Sequence, residues 1–170
     1  MTGLANLHVL VVDDNPNMRT IVSTMLRAVG IGRVSEAESG PQALSWLRQS
    51  SVDIAIVDFR MPPMDGVALT RHLRHDDDSP NPYLPVIMMT GHSERSRVTG
   101  ARDAGVTEFV AKPVDSVSLF KRIEAVILRP RAFVRSGDYF GPDRRRLNAA
   151  DYTGPFRRAT DTEVVIDALP

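Results

Sequence analysis

The stretch Asp53–Gly66, DIAIVDFRMPPMDG, decides how this chain folds. Its four consecutive apolar residues, 54–57, are typical of a strand buried on both faces of a parallel sheet. The strand ends at the carboxylate of Asp58, and a Pro-Pro turn follows. Ligands bind at the carboxyl edge of open parallel α/β sheets, so this position makes Asp58 a candidate site residue.

The rest of the chain alternates between short apolar runs and segments with helical spacing. Strands are predicted at 8–12, 33–39, 86–89 and 107–111, beside the one in the opening stretch. Five helices are predicted to begin near residues 16, 40, 67, 93 and 115, the fourth weakened by Gly100 at a cost of about 1 kcal/mol. This order predicts a doubly wound five-stranded parallel sheet with helices on both faces, an α/β fold.

The last helix is apolar on more than one side. Its core face is predicted to carry Val117, Phe120, Ile123 and Ile127. Leu119 and Val126 lie about 100° away, so either the core stripe is wide or these residues form a second face; the second face, for a partner or for the end of the chain, is the favoured interpretation.

Composition excludes several classes of function. The formal net charge is zero, which gives no global reason to expect binding to nucleic acid or membranes. The chain has no cysteine, and therefore no disulfide, thiolate metal site or cysteine nucleophile. No apolar run approaches the roughly 18 to 20 residues that span a bilayer, and the first residues do not resemble a signal peptide. We therefore expect a cytoplasmic protein without membrane contact.

Periodicity ends near Arg129, so the sequence divides into a domain at 1–128 and an irregular extension at 129–170. The extension contains a repeat, Tyr139–Arg145 (YFGPDRR) and Tyr152–Arg158 (YTGPFRR). One interpretation is that its arginines bind phosphate, a nucleotide or an acidic protein face; the favoured one is that it packs on its own domain or on a sister subunit. The candidate anion-binding residues are Arg144, Arg145, Arg146, Arg157 and Arg158.

Polar side chains follow four of the predicted strands. Asp13 and Asp14 end the first strand, Asp58 the third, Thr90 the fourth and Lys112 the fifth. Crowded carboxylates repel one another unless a cation joins them, and an all-oxygen ligand set favours Mg²⁺. The Lys112 ammonium group and the Thr90 hydroxyl would then bind oxygens of a phosphoryl group. The remaining carboxylate, Asp58, is expected to be the nucleophile that takes the phosphoryl group. The alternative is a solvated acidic loop with a helix cap.

These motifs, in this order, resemble the receiver domain of two-component response regulators, similar in plan to the single-domain chemotaxis regulator. They are the acidic pair 13–14, Asp58 with Met-Pro at 61–62 and Met-Asp-Gly at 64–66, Thr-Gly at 90–91 and Lys-Pro at 112–113. Each motif is weak alone, but together, each at the end of a predicted strand, they are specific. The resemblance covers residues 8–128.

The resemblance implies specific roles at the site. Asp58 would be the phosphoacceptor and Asp14 a direct Mg²⁺ ligand, with Asp13 binding mainly through water and Arg60 supplying its backbone carbonyl. Thr90 and Phe109 would be the paired switch residues, although Phe109 could be ordinary core. Lys112 would bind phosphate and precede a cis peptide bond. The side chains of Arg60 and His92 occupy the positions that tune the lifetime of the phosphoryl group.

The resemblance also implies a switch protein rather than an enzyme, with at most self-phosphorylation and self-dephosphorylation of Asp58. Its partner would be a sensor histidine kinase or a phosphotransfer protein, and a homodimer could form through the last two helices. No DNA-binding domain is recognisable, so direct DNA binding is not expected. The alternative is an effector whose arginine-rich extension binds a cyclic dinucleotide or another anion, with the receiver as scaffold. The four histidines, His8, His72, His75 and His92, lack metal-ligand spacing and are predicted at the surface.

Overall fold

The structure is a computed structural model that describes residues 3–144 and a short strand at 164–166. Its strands are β1 (His8–Val12), β2 (Arg33–Ala37), β3 (Ile54–Asp58), β4 (Val86–Thr90), β5 (Glu108–Ala111), β6 (Phe133–Ser136), β7 (Tyr139–Pro142) and β8 (Val164–Ile166). Its α-helices are α1 (Pro16–Ala28), α2 (Gly40–Gln49), α3 (Gly66–His75), α4 (Val98–Asp103) and α5 (Ser116–Leu128). A 3₁₀ turn at Leu4–Asn6 precedes β1, and a 3₁₀ segment at His92–Arg97 precedes α4.

The main sheet has five parallel strands in the order β2-β1-β3-β4-β5. Strands β1, β3 and β4 are buried along their whole length, because helices cover both faces. One face packs with α1 and α5, and the other with α2 and α3. The doubly wound five-stranded sheet with five helices predicted from the sequence is confirmed.

Side-chain caps fix where three of the helices begin, and hence the loops at the carboxyl edge of the sheet. Asn15 accepts from the N–H groups of Asn17 and Met18 at the start of α1, with Pro16 at the first helical position. Asp65 caps α3 through Ala68 N at 2.7 Å. Asp115 caps α5 through Ser118 N at 2.8 Å.

The fourth helix is as weak as its sequence predicts. The chain from His92 to Arg97 takes a 3₁₀ conformation, and only six residues, 98–103, are α-helical. Gly100 lies in the middle of that short α-helix. Few backbone hydrogen bonds therefore hold the segment between β4 and β5.

The favoured assignment of faces on α5 is wrong for all but one of its core residues. The helix buries Leu119 and Val126, which that assignment places on a second face, together with Ile123 of the predicted core face. Val117 of that predicted core face is 62% exposed and Ile127 is 37% exposed. Apolar residues on more than one side of the helix leave the choice open in the sequence, and contact with β5 and α1 selects the stripe that is buried.

The prediction that all four histidines lie at the surface is wrong for His8. This side chain is 3% exposed at the start of β1. Its Nδ1 lies 2.7 Å from the Ser51 carbonyl oxygen and its Nε2 lies 2.8 Å from Ser35 Oγ. These partners compensate for its burial, so His8 is a satisfied polar residue of the core.

The extension begins with regular structure, and the prediction of an irregular segment is wrong for residues 133–142. Strands β6 and β7 form an antiparallel hairpin, and β8 pairs with the other edge of β6. Each strand of the hairpin has only four residues, and glycine and proline interrupt the second. Strands this short give no period-2 pattern that would predict them.

The hairpin packs against the amino ends of β4 and β5. Phe133 and Phe140 meet the ring of Tyr83 at centroid distances of 5.3 and 5.4 Å, edge to face. Beneath them lies Arg74, whose guanidinium donates to the carbonyl oxygens of Pro82, Leu84 and Gly105.

Arg74 is 3% exposed and its guanidinium also lies 5.0 Å from the Phe133 ring centroid. Burial lowers the pKa of Arg74 to about 9, which leaves it charged at pH 7. A buried charge is tolerated only where donors and acceptors match, and here three carbonyl groups and an aromatic face surround it. The hairpin therefore completes the environment that Arg74 needs.

Among the helices of the described residues, none combines the length and the apolar character that crossing a bilayer requires.

Replacing Phe140 by alanine is expected to destabilise the fold by about 3–5 kcal/mol, because this ring is 2% exposed and truncation leaves a cavity over Arg74. The measurement is thermal unfolding followed by circular dichroism. Trp46→Ala, at a position that is 36% exposed, is the matched control and should lower Tm much less. An equal loss in the two variants would contradict the packing of the hairpin on the domain.

Candidate phosphoacceptor site

Five polar residues converge at the carboxyl edge of the main sheet. Parallel pairing aligns β1, β3, β4 and β5, so the side chains that end them meet at one place. Asp13, Asp14 and Asp58 each offer a carboxylate oxygen within 4.8 Å of the other two. Lys112 reaches the same cluster from the residue after β5. The structure thus brings together these four side chains.

Lys112 neutralises part of the negative charge of the three carboxylates. Its Nζ lies 2.6 Å from Asp58 Oδ1 and 3.5 Å from Asp13 Oδ2. Burial alone would lower the pKa of Lys112, but the hydrogen bond to Asp58 and the charges of Asp58 and Asp13 outweigh it and raise the pKa. The ammonium group is therefore charged and holds Asp58 from one side.

The pKa of Asp58 is raised above its usual 3.8. Burial is the main cause; the hydrogen bond from Lys112 opposes it, and the negative charge of Asp13 adds to it. One lysine therefore does not compensate fully for burying this carboxylate beside another.

Asp13 leaves one oxygen unsatisfied. It is 1% exposed, and its Oδ1 accepts from Asn15 N at 2.8 Å. Its Oδ2 is buried without a hydrogen-bond partner. An orphaned carboxylate oxygen, next to two further carboxylates, is a position that a hard cation or its water would satisfy.

Gly66 brings α3 close to the backbone of Asp58. A Cβ at this position would lie 2.4 Å from the Asp58 carbonyl oxygen, which is too close for any side chain. The N–H of Gly66 donates to the Phe59 carbonyl at 3.1 Å. The Met-Asp-Gly motif therefore fixes the loop that carries the candidate phosphoacceptor.

The two candidate switch residues lie on neighbouring strands. Thr90 ends β4, is 8% exposed, and its carbonyl accepts from Lys112 N at 2.8 Å. Phe109 is half-buried in β5 and packs against a cluster that includes Phe59 and Ala101 of α4. The peptide bond between Lys112 and Pro113 is cis, as the resemblance implies.

Arg60 and His92 occupy the loops beside the cluster. The Nε of Arg60 lies 3.0 Å from Glu94 Oε1, and its side chain is 67% exposed. His92 is exposed. Sequence reasoning missed Glu94, a single acidic residue in a polar loop, because nothing in its spacing marks it as buried.

Of the candidate anion-binding arginines, Arg144 alone lies within the described residues. Its guanidinium pairs with Asp103 at 2.8 Å and lies 4.0 Å from the ring centroid of Tyr139. The first contact holds it against α4 and the second against the hairpin. Arg145, Arg146, Arg157 and Arg158 lie outside the described residues.

A second group of potential ligands lies at the end of α3. His72 forms ion pairs with Asp76 and Asp78, and Arg48 pairs with Asp78 at 2.9 Å. The group is at the surface, and the two basic side chains already satisfy its carboxylates. These residues therefore form a solvent-facing ion-pair group at the end of α3.

Residues 9–124 match the model of the response regulator receiver domain family. The chain belongs to this family. The receiver is 33% identical over 124 residues to the chemotaxis protein CheY-3 of Vibrio cholerae, covering 73% of this chain and 94% of that protein. It is 35% identical over 123 residues to the chemotaxis protein CheY of Pseudomonas aeruginosa, covering 72% and 98%.

Among solved structures, the receiver is similar to the receiver domain of a sensor histidine kinase from Pseudomonas aeruginosa PAO1, which has a magnesium ion coordinated in its active-site cleft. The TM-score is 0.61 at 28% identity, over 69% of this chain and 94% of that one. Receiver domains are signalling switch modules of two-component systems, which places this chain in two-component signalling.

The receiver's acidic cluster fits a magnesium ion. Its donors are all oxygens, and the buried Oδ2 of Asp13 accepts no hydrogen bond from the described residues, with only Lys112 Nζ at 3.5 Å beside it. Asp14 is exposed, so the cluster is open to water on that side. A hard cation that keeps several waters suits a site with these properties.

Asp58→Asn is expected to raise the Tm of the metal-free receiver at pH 7, by about 2–4 °C for each kcal/mol gained. The pKa of Asp58 is higher in the folded state than in the unfolded state, so the protonated side chain favours folding. This contribution to stability is fully present below the unfolded-state pKa and is lost as the pH rises through the folded-state pKa. Asparagine stays neutral, so the gain should shrink as the pH approaches 4.

The measurement is thermal unfolding in EDTA at both pH values. Asp77→Asn removes the same charge from an exposed loop and serves as the matched control. A lower Tm for Asp58→Asn at pH 7 would show that the pairing with Lys112 outweighs the burial and crowding of the carboxylate.

Proposed function

We propose that this receiver is a response regulator that accepts a phosphoryl group on Asp58 from a phosphohistidine of a sensor histidine kinase or a phosphotransfer protein. The observation that carries the proposal is the contact of Lys112 Nζ with Asp58 Oδ1 at 2.6 Å, inside a cluster of three carboxylates. That arrangement holds one carboxylate in place, balances part of its charge, and keeps it in a mostly buried position.

In the transfer, an oxygen of the Asp58 carboxylate attacks phosphorus. The bond between phosphorus and the histidine nitrogen breaks, and the imidazole leaves with the electron pair. Asp58 becomes an acyl phosphate. Lys112, released from the carboxylate oxygen that it holds, is placed to donate to an oxygen of the incoming group, and the Thr90 hydroxyl is placed for another.

Asp13, Asp14, Asp58 and the backbone carbonyl of Arg60 would hold Mg²⁺. Bound there, Mg²⁺ supplies positive charge that stabilises the phosphoryl oxygens during transfer. The support is the orphaned Asp13 Oδ2 and the related receiver with magnesium in its active-site cleft.

The output of the switch would pass through Thr90 and Phe109 to the face formed by β5, α4 and α5. Phe109 packs beside Ala101 of α4, the shortest α-helix of the main domain. Val117, Ile127 and Leu128 leave apolar side chains exposed on α5. A contact that changes with phosphorylation, such as a homodimer or the docking of a partner through the last two helices, would use this face.

In this proposal residues 1–128 carry the phosphoacceptor chemistry and 129–170 form the extension, whose hairpin covers the opposite edge of the sheet. We infer a protein of the cytoplasm, where sensor kinases present their phosphohistidines. It acts as a phosphoacceptor rather than as an enzyme with a separate substrate. Output then depends on protein contacts and not on direct binding to DNA.

Incubation with acetyl phosphate and Mg²⁺ should add one phosphoryl group to the full chain, measured by intact mass. The gain should disappear with EDTA and in Asp58→Asn, because the first removes the cation and the second the nucleophile. Asp77→Asn should be labelled like the wild type. Labelling that persists in Asp58→Asn would contradict Asp58 as phosphoacceptor, and no gain in the wild type would contradict the proposed chemistry.

A further inference from the structure

Two loops meet beside the acidic cluster and are joined by one ion pair, whose carboxylate is buried and whose guanidinium is exposed. Strands β3 and β4 pair in a register that sets Asp58 opposite Met89, and Phe59 N donates to the Met89 carbonyl at 3.0 Å. Arg60 and Gly91 are therefore the next residues in neighbouring loops. The bridge between the loops is Arg60 Nε to Glu94 Oε1 at 3.0 Å.

The Glu94 side chain packs within its own loop and is shielded from solvent. Its side chain is 7% exposed, although it carries a charge. Its Oε1 accepts from Ser93 Oγ at 2.6 Å, and its backbone N–H donates to the Gly91 carbonyl at 3.2 Å. The other oxygen, Oε2, lies against the Cα side of Gly91, where a Cβ would come within 2.6 Å of it.

We propose that Arg60 and Glu94 form a latch that holds the loop after Thr90 in its unphosphorylated conformation. The proposal rests on the proposed function, because its trigger is a phosphoryl group on Asp58. Glu94 fills the space above Gly91, the residue next to the switch threonine. Arg60, anchored two residues from Asp58, ties that loop to the phosphoacceptor strand.

Phosphorylation gives Arg60 a stronger partner. A phosphoryl group presents more negative charge and more acceptor oxygens than a carboxylate, and guanidinium groups bind such oxygens in a bidentate manner. The Arg60 side chain is 67% exposed, so it is free to change partner with little repacking. Once Arg60 turns to the phosphoryl group, Glu94 is a buried carboxylate without its cation.

The release of Glu94 loosens the loop where the switch must move. A buried carboxylate that has lost its guanidinium partner and keeps the hydrogen bond from Ser93 Oγ is only partly compensated, and it tends to move to solvent. The 3₁₀ segment that carries Glu94 retains it weakly, because 3₁₀ hydrogen bonds have poor geometry. Gly91 and Thr90 then lose the side chain that packs on them. Phosphorylation of Asp58 would thereby make the loop after Thr90 more mobile.

Hydrogen exchange of segment 91–97, read by mass spectrometry with and without acetyl phosphate and Mg²⁺, tests the latch. Wild-type exchange in this segment should accelerate by about tenfold on phosphorylation, which corresponds to losing one charged hydrogen bond. Glu94→Gln should exchange fast before phosphorylation and change little afterwards. Gly91→Ala should shift exchange in the same direction, since its Cβ would come within 2.6 Å of Glu94 Oε2 and displace that oxygen without altering charge.

Arg60→Gln, at an exposed side chain, should also exchange fast in the unphosphorylated state. In the double variant Arg60→Gln with Glu94→Gln, segment 91–97 should exchange at the same rate as in either single variant, because both substitutions break the same bond. Arg48→Gln breaks the remote surface pair with Asp78 and should match the wild type.

Intact mass of the same samples separates the two proposals. Wild-type protein that gains a phosphoryl group without faster exchange at 91–97 overturns the latch and leaves the phosphoacceptor chemistry standing. Additive effects of the two single variants also overturn the latch. Absence of any mass gain overturns the proposed function and the latch with it.

Discussion

The pairing of Lys112 with Asp58 is the constraint on which the site depends. A parallel sheet brings the ends of its strands together, and this chain ends them with three carboxylates and a single lysine. The lysine reaches two of the three, yet burial still raises the pKa of Asp58, and Asp13 Oδ2 has only the 3.5 Å ion contact with Lys112 and no hydrogen bond from the described residues. The metal-free fold therefore carries unbalanced negative charge where a cation and a phosphoryl group would be received, and we interpret this imbalance as the basis of the proposed chemistry.

The sheet and the grouping of the acidic residues could be predicted because both follow from local patterns. Apolar runs identify the buried strands, and parallel topology forces their polar end residues to one edge. The buried stripe of α5 could not be predicted, since the helix has apolar residues on more than one side and contact with β5 and α1 decides which of them are buried. Nor could Glu94 be found, because its burial depends on Arg60 in another loop and on the missing side chain of Gly91.

The hairpin at 133–142 illustrates a different limit. Its strands are too short for a periodic signal, and they are stabilised by rings that meet Tyr83 and Arg74, far away in the sequence. Nothing in the sequence distinguishes Arg74 from an exposed basic residue near the end of a helix. In the fold its guanidinium is buried and donates hydrogen bonds to three carbonyl groups, and the aromatic residues after α5 pack over it.

The position of that hairpin also fixes which end of the domain the extension occupies. α5 runs back from the carboxyl edge of the sheet, and the residues that follow it lie at the amino ends of β4 and β5, where Arg131 pairs with Glu108 and the hairpin rings meet Tyr83. A five-residue strand such as β4 is roughly 15 Å long, and that length separates the hairpin from the residues around Asp58. A partner at the phosphoacceptor and a partner on the hairpin would approach opposite ends of the strands and would not compete for space.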